Sequence, residues 1–138
     1  MSSFIADLLP QAAGLLPKWQ LFVSVVALFN TVQNFATLKF TRRVYSGKPH
    51  EVTPLQARTF AVWTLLASVV RFYAAYHISV KPIYDIALIS YLLAFGHFTS
   101  EFLIFGSVKL SAGSMSTFVV STASLIWMFK QYDFYVKA

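Results

Sequence analysis

Residues 19–38 read WQLFVSVVALFNTVQNFATL, twenty residues without a formal charge between Lys18 and Lys39. At about 1.5 Å of rise per residue, a helix of this length measures about 30 Å, the thickness of the bilayer hydrocarbon. A second charge-free run of twenty, LSAGSMSTFVVSTASLIWMF at 110–129, lies between Lys109 and Lys130. Two further apolar stretches are each broken by one charge, 59–80 by Arg71 and 86–108 by Glu101. The breaks between the runs, SGKPHEVTP, SVKPIYD and GSVKLSAG, hold the Gly and Pro that end helices and permit reversals. The pattern predicts an all-α, polytopic membrane protein. It is a four-transmembrane-helix bundle with spans of about 19–38, 59–80, 86–108 and 110–129, forming one domain over residues 1–138.

Composition agrees. Of 138 residues, 57% are hydrophobic and 12% charged, more apolar and less charged than a soluble domain. There is no cysteine, which excludes a disulfide framework and any Cys-based zinc site. The net charge of +6 could suggest nucleic acid, but the basic residues fall between apolar blocks. An anionic membrane surface or a topology signal accounts for them there, and no nucleic-acid partner is expected.

Residues 1–17, MSSFIADLLPQAAGLLP, lack a basic start, and Pro10 interrupts their apolar part, so they do not read as a cleaved signal peptide. They read as an interfacial segment with Phe4, Ile5, Leu8, Leu9, Leu15 and Leu16 resting on lipid. Trp19, Trp127, Tyr132 and Tyr135 sit where amphipathic rings settle at a membrane boundary. Lys39, Arg42, Arg43, Lys48, Arg58 and Lys109 lie on one side of the spans, and Lys18, Lys81, Lys130 and Lys137 on the other. The positive-inside rule therefore places the basic loop 39–58 in the cytosol and both termini across the membrane.

Polar residues inside the spans are where function would be written. Gln20, Ser24, Asn30, Thr31, Asn34 and Thr37 fall within roughly 140° of one another on a helix turning about 100° per residue. Lipid cannot satisfy such a stripe, so it should face other helices, and packing is a commoner role for it than a ligand path. The small residues of LSAGSMSTFVVSTAS allow close backbone approach, within the protein or against a partner, which leaves homo-oligomerisation open.

His97 and Glu101 are four residues apart, on one helix face with Ser90 and Ala94. A polar clasp fixing helix packing ranks first, acid–base chemistry second, and a metal site third for want of a further ligand. Arg71 is the candidate counter-charge. Counted from the connection at 81–85, it lies about 15 Å deep, His97 about 17 Å and Glu101 about 24 Å, so pairing with either is open. Unpaired, it would cost roughly 2.5 to 3.5 kcal/mol on insertion scales and should face the interior.

Five stretches together, LPKWQLFVSVVALFNTVQ, TRRVYSGKP, LQARTFAVWTLLASVVRFYAAY, GHFTSEFLIFG and VVSTASLIWMFKQ, carry a resemblance from Leu16 nearly to the end of the chain. The sequence resembles the ergosterol biosynthetic protein 28 family, and most of all its fungal members. The resemblance implies a small endoplasmic-reticulum membrane scaffold without catalysis or cofactor of its own. As partners it implies the sterol C-4 methyl oxidase, the C-3 sterol dehydrogenase/decarboxylase and the 3-keto sterol reductase. It carries over no catalytic residue, and gives Arg58, Arg71, His97 and Glu101 a structural or partner-contact role, to which the stripe adds Asn30 and Asn34. The residues agree: GxGxxG, HExxH and a His-rich di-iron pattern are all absent. The rival is a membrane sterol-binding carrier or isomerase using His97 and Glu101.

Overall fold

A computed structural model describes residues 2–136. The elements in order are α1 (Ser2–Leu8), α2 (Leu16–Ala36), α3 (Lys39–Val44), a 3₁₀ turn (Pro49–Glu51), α4 (Pro54–Tyr76), α5 (Lys81–Leu103), α6 (Ala112–Lys130) and α7 (Tyr132–Tyr135). Three of the four long helices carry Pro in the first turn, where its missing N–H costs nothing and its fixed φ suits the helix. The fourth, α6, starts with a capping box in which Ser111 and Ser114 satisfy each other's backbone N–H. Lys137, which entered the charge count, lies outside the described residues.

The four long helices form the bundle. Three of them, α4, α5 and α6, are long and apolar enough to cross a membrane by length and composition. The fourth, α2, has the length, diluted by its polar stripe. Phe29, Val32, Leu66, Leu93, Ile126 and Phe129 are each more than half exposed on the outside of the bundle. So extensive an apolar surface is unsustainable in water and matches hydrocarbon. The chain is a multi-pass membrane protein.

Helix α4 runs Pro54–Tyr76, starting five residues before the expected 59–80 because Thr53 caps it and Pro54 opens it, and two further differences bear on the site. The third long helix starts at Lys81 and ends at Leu103, five residues earlier at each end than 86–108. Lys81 and Asp85 do not bound the helix but pair within its first turns at 2.7 Å. At the other end Gly106 turns the chain out with φ of 70°, a conformation open to glycine. Glu101 is therefore two residues from the helix end, where the expected span would have carried the helix on to residue 108. Leu16, expected on lipid, is fully buried, because α2 begins there and carries it into the core.

The most extensive helix pair is α2 with α4, and its contact is polar at the centre. Ser24 Oγ donates to the Ser68 carbonyl and Ser68 Oγ to the Ser24 carbonyl, each at 2.8 Å. Thr31 and Thr64 share a bond of 2.8 Å between their hydroxyls. Gln20 completes the set: its amide accepts from Tyr91 Oη at 2.7 Å on α5 and donates to Met128 Sδ at 3.2 Å on α6. The stripe thus faces the other helices, except that Thr37 is exposed beyond the end of α2. Helix α5 packs on both α4 and α6, whereas α2 meets α6 only sparsely. The apolar core is accordingly split. One cluster surrounds Tyr84, Tyr91 and Met128, and the other surrounds Tyr45, Phe60 and Phe98.

Candidate functional site

Where α2 and α6 fail to close, the bundle holds a groove with a cavity of about 140 Å³. Its walls come from all four long helices, including Val26 and Asn30 of α2, Trp63 of α4, Phe98 of α5 and Thr117 of α6. Phe22 and Val26 at its edge are exposed, so it opens sideways to the lipid.

Arg71 lines this groove and is 8% exposed. Its Nε donates to Ser90 Oγ at 3.3 Å, and its guanidinium carbon lies 4.1 Å from the centre of the Tyr91 ring. The ring face stabilises the cation and fixes the plane of the fork. Neither terminal nitrogen has a hydrogen-bond partner among the described residues. The expected counter-charges are out of reach for a plain reason. Arg71 meets α5 at Ser90, and Glu101 is eleven residues further along that helix, about 16 Å, with His97 about 10 Å away. Arg71 pairs with neither.

His97 and Glu101 share a face of α5 without a mutual hydrogen bond; each instead holds a loop at the end of the bundle. His97 Nε2 and Tyr45 Oη are 2.7 Å apart. Burial pushes the Tyr45 phenol well above its usual range and the charge of Glu101 adds to the effect, so the phenol stays protonated and can donate. Glu101 Oε1 accepts from Ser107 Oγ at 2.8 Å. The two anchored loops are tied to each other, Gly47 N–H donating to the Ser107 carbonyl at 2.9 Å. A Cβ at Gly47 would run into the Gly106 carbonyl, so only glycine allows this approach. Loop 39–58 is therefore a folded cap. Val44, Tyr45 and Val52 point inward, while Lys39, Arg42, Arg43 and Arg58 are exposed.

Asn34 is buried and its Oδ1 accepts from Thr41 Oγ1 at 2.7 Å, tying α2 to α3, while Asn30 lines the groove. Among the described residues no group of three or more His, Asp or Glu is placed to hold a metal ion. Sequence reasoning missed Tyr45, Tyr91 and Ser107. Tyr91 had a signal in its place beside Ser90 on the face shared with His97, whereas the Tyr45 contact spans 52 positions and leaves no local trace.

The model of the family described as "Erg28 like protein" matches residues 16–126. The chain belongs to the Erg28 family. Ergosterol biosynthetic protein 28 of Candida albicans is 46% identical over 137 residues, covering 99% of both chains. That of Schizosaccharomyces pombe is 50% identical over 131 residues, covering 95% of this chain and 93% of its own. The human ergosterol biosynthetic protein 28 homolog is 41% identical over 116 residues, 83% of each chain. No solved structure matches. The Erg28 match takes in every element of the groove and the cap, from Leu16 through Ser121. Its members are named as biosynthetic proteins and not for a reaction.

Proposed function

We propose that this Erg28-family chain is a non-catalytic scaffold of the endoplasmic-reticulum membrane in ergosterol biosynthesis. It tethers the sterol C-4 methyl oxidase, the C-3 sterol dehydrogenase/decarboxylase and the 3-keto sterol reductase. The family membership supplies the pathway, and the observation that carries the tethering role is the cap. A basic loop held by Tyr45–His97, Gly47–Ser107 and Thr41–Asn34 is a fixed platform, which keeps its charges at set positions on the bundle. A preorganised surface binds without the ordering cost of a mobile loop. On the cytosolic side it would meet soluble domains of membrane enzymes, while the apolar belt meets their helices or lipid. Holding successive enzymes together raises effective concentration, to the millimolar range for short connections, without new chemistry.

The test is replacement of the tether. Fusing the C-3 dehydrogenase directly to the C-4 oxidase should restore part of the sterol flux in cells lacking this chain. Active, correctly localised fusions with flux as low as before would refute proximity of that pair as its role. An isomerase built on His97 and Glu101 gains nothing from the geometry, since neither residue is among those lining the groove.

A further inference from the structure

The groove at Arg71 is unexplained by tethering. A cation buried among helices is normally matched by a carboxylate, yet this one has spare donors and lines a lipid-open crevice. We propose that the groove binds a membrane amphiphile with a single carboxylate on a rigid ring system, the carboxylate pairing with Arg71.

Three features select that occupant. The charge is one guanidinium with two free nitrogens, which fits a monoanion gripped through both oxygens. The room is small, about 140 Å³. An apolar cavity of about 150 Å³ holds a benzene ring, so the groove takes the acid and the ring that bears it, leaving the rest in lipid. The walls are aromatic, since Trp63 lines the groove with Phe60 and Phe98 beside it, and aromatic walls suit a rigid ring better than a flexible chain. The choice of a sterol for the ring system rests on the scaffold reading. There, an oxidase that converts a methyl group to a carboxyl is followed by a decarboxylase that consumes it, so the species passed between them is an acid. The groove would hold that acid at the tether between the two enzymes.

The experiment uses the full chain in nanodiscs and three probes: a 3-hydroxysterol with a carboxyl at carbon 4, the same sterol with a methyl there, and oleate. The acid should bind at least about tenfold more tightly than the methyl sterol, as charge-assisted hydrogen bonds to Arg71 require. Arg71→Gln should abolish the difference. Val26→Trp, which fills the mouth from a partly exposed position and leaves Arg71 in place, should weaken the acid by a similar factor. Equal binding of acid and methyl sterol, or acid binding untouched by Val26→Trp, overturns the proposal, including the case where Arg71→Gln does not fold. Oleate competing as well as the sterol acid overturns the ring assignment. Co-purification of the three enzymes with the unmodified chain is scored separately. Enzymes retained without acid preference sink only the groove, whereas enzymes absent with acid preference intact sink only the tether.

Discussion

Gly47→Ala should detach the cap from the bundle. The added Cβ would meet the Gly106 carbonyl and lie 2.9 Å from the carbonyl carbon of Ser107, and both neighbours are backbone that cannot swing aside. The loop must retreat, which breaks the Gly47 N–H to Ser107 bond, about 0.5 to 1.5 kcal/mol. If the retreat also pulls Tyr45 from its site, the phenol loses its bond to His97 and its packing on Phe60 and Phe98. Burial of such a ring is worth about 1.5 to 3 kcal/mol, and with the two hydrogen bonds the total is about 2.5 to 6 kcal/mol. Tyr45→Phe is the control: it keeps the ring and loses one bond, about 1 kcal/mol. Hydrogen exchange in nanodiscs reads the result directly. In Gly47→Ala, amides of 42–52 should exchange faster while those in the middle of α4 stay as they were, and partner co-purification should fall with them. Unchanged exchange across the loop would refute the claim that glycine is what permits the closure.

Ser24→Ala and Ser68→Ala each delete one of two reciprocal bonds between α2 and α4 and should each cost about 0.6 kcal/mol by detergent unfolding, while the double variant should depart from their sum, because the two hydroxyls lie 3.3 Å apart in one network. Glu101→Gln keeps an acceptor for Ser107 and should stay folded, whereas Glu101→Leu should lose about 1 to 2 kcal/mol in the same assay. If Glu101→Gln keeps its partners yet loses all cellular function, acid–base chemistry displaces the tether. A glycosylation acceptor placed in 39–58 should remain unmodified and one placed after Tyr135 should be modified; the reverse pattern inverts the orientation.

The four long helices were legible because charge is expensive in hydrocarbon, so the gaps between charges marked them. The same signal misplaced α5. Lys81 and Asp85 neutralise each other on its first turns, and Asp85 also accepts from Tyr132 Oη at 2.7 Å, so charges that looked like a boundary lie inside the helix. That error carried the span five residues past the end of α5 and made a His97–Glu101 pair look enclosed by it. The buried side of α2 was legible from its polar stripe, because lipid offers such groups no partner. The cap was not, because its ties to α5 and to the loop beyond it, Tyr45–His97 and Gly47–Ser107, join distant residues and depend on where the chain turns, not on any local pattern. The groove was invisible for another reason: it arises where α2 and α6, joined at Gln20 and Met128, stay apart further along, and sequence periodicity records what a face is made of, not what fails to meet it.

The reciprocal serine bonds between α2 and α4 bear on how the protein is made. Helix α2 leaves the ribosome before the other long helices, yet its Ser24 and Gln20 find their partners only on helices synthesised later. Entering the bilayer alone, it would leave those groups bare in hydrocarbon, and its own apolar residues carry that load less well than those of the three helices that follow. Stable partition of α2 then waits for α4, and the two leave the insertion machinery as a hairpin whose bend folds into the cap once α5 brings His97 and Ser107 to it. A defect at Ser68 would surface as a failure of α2 to stay in the membrane, and quality control would see it before any sterol accumulated.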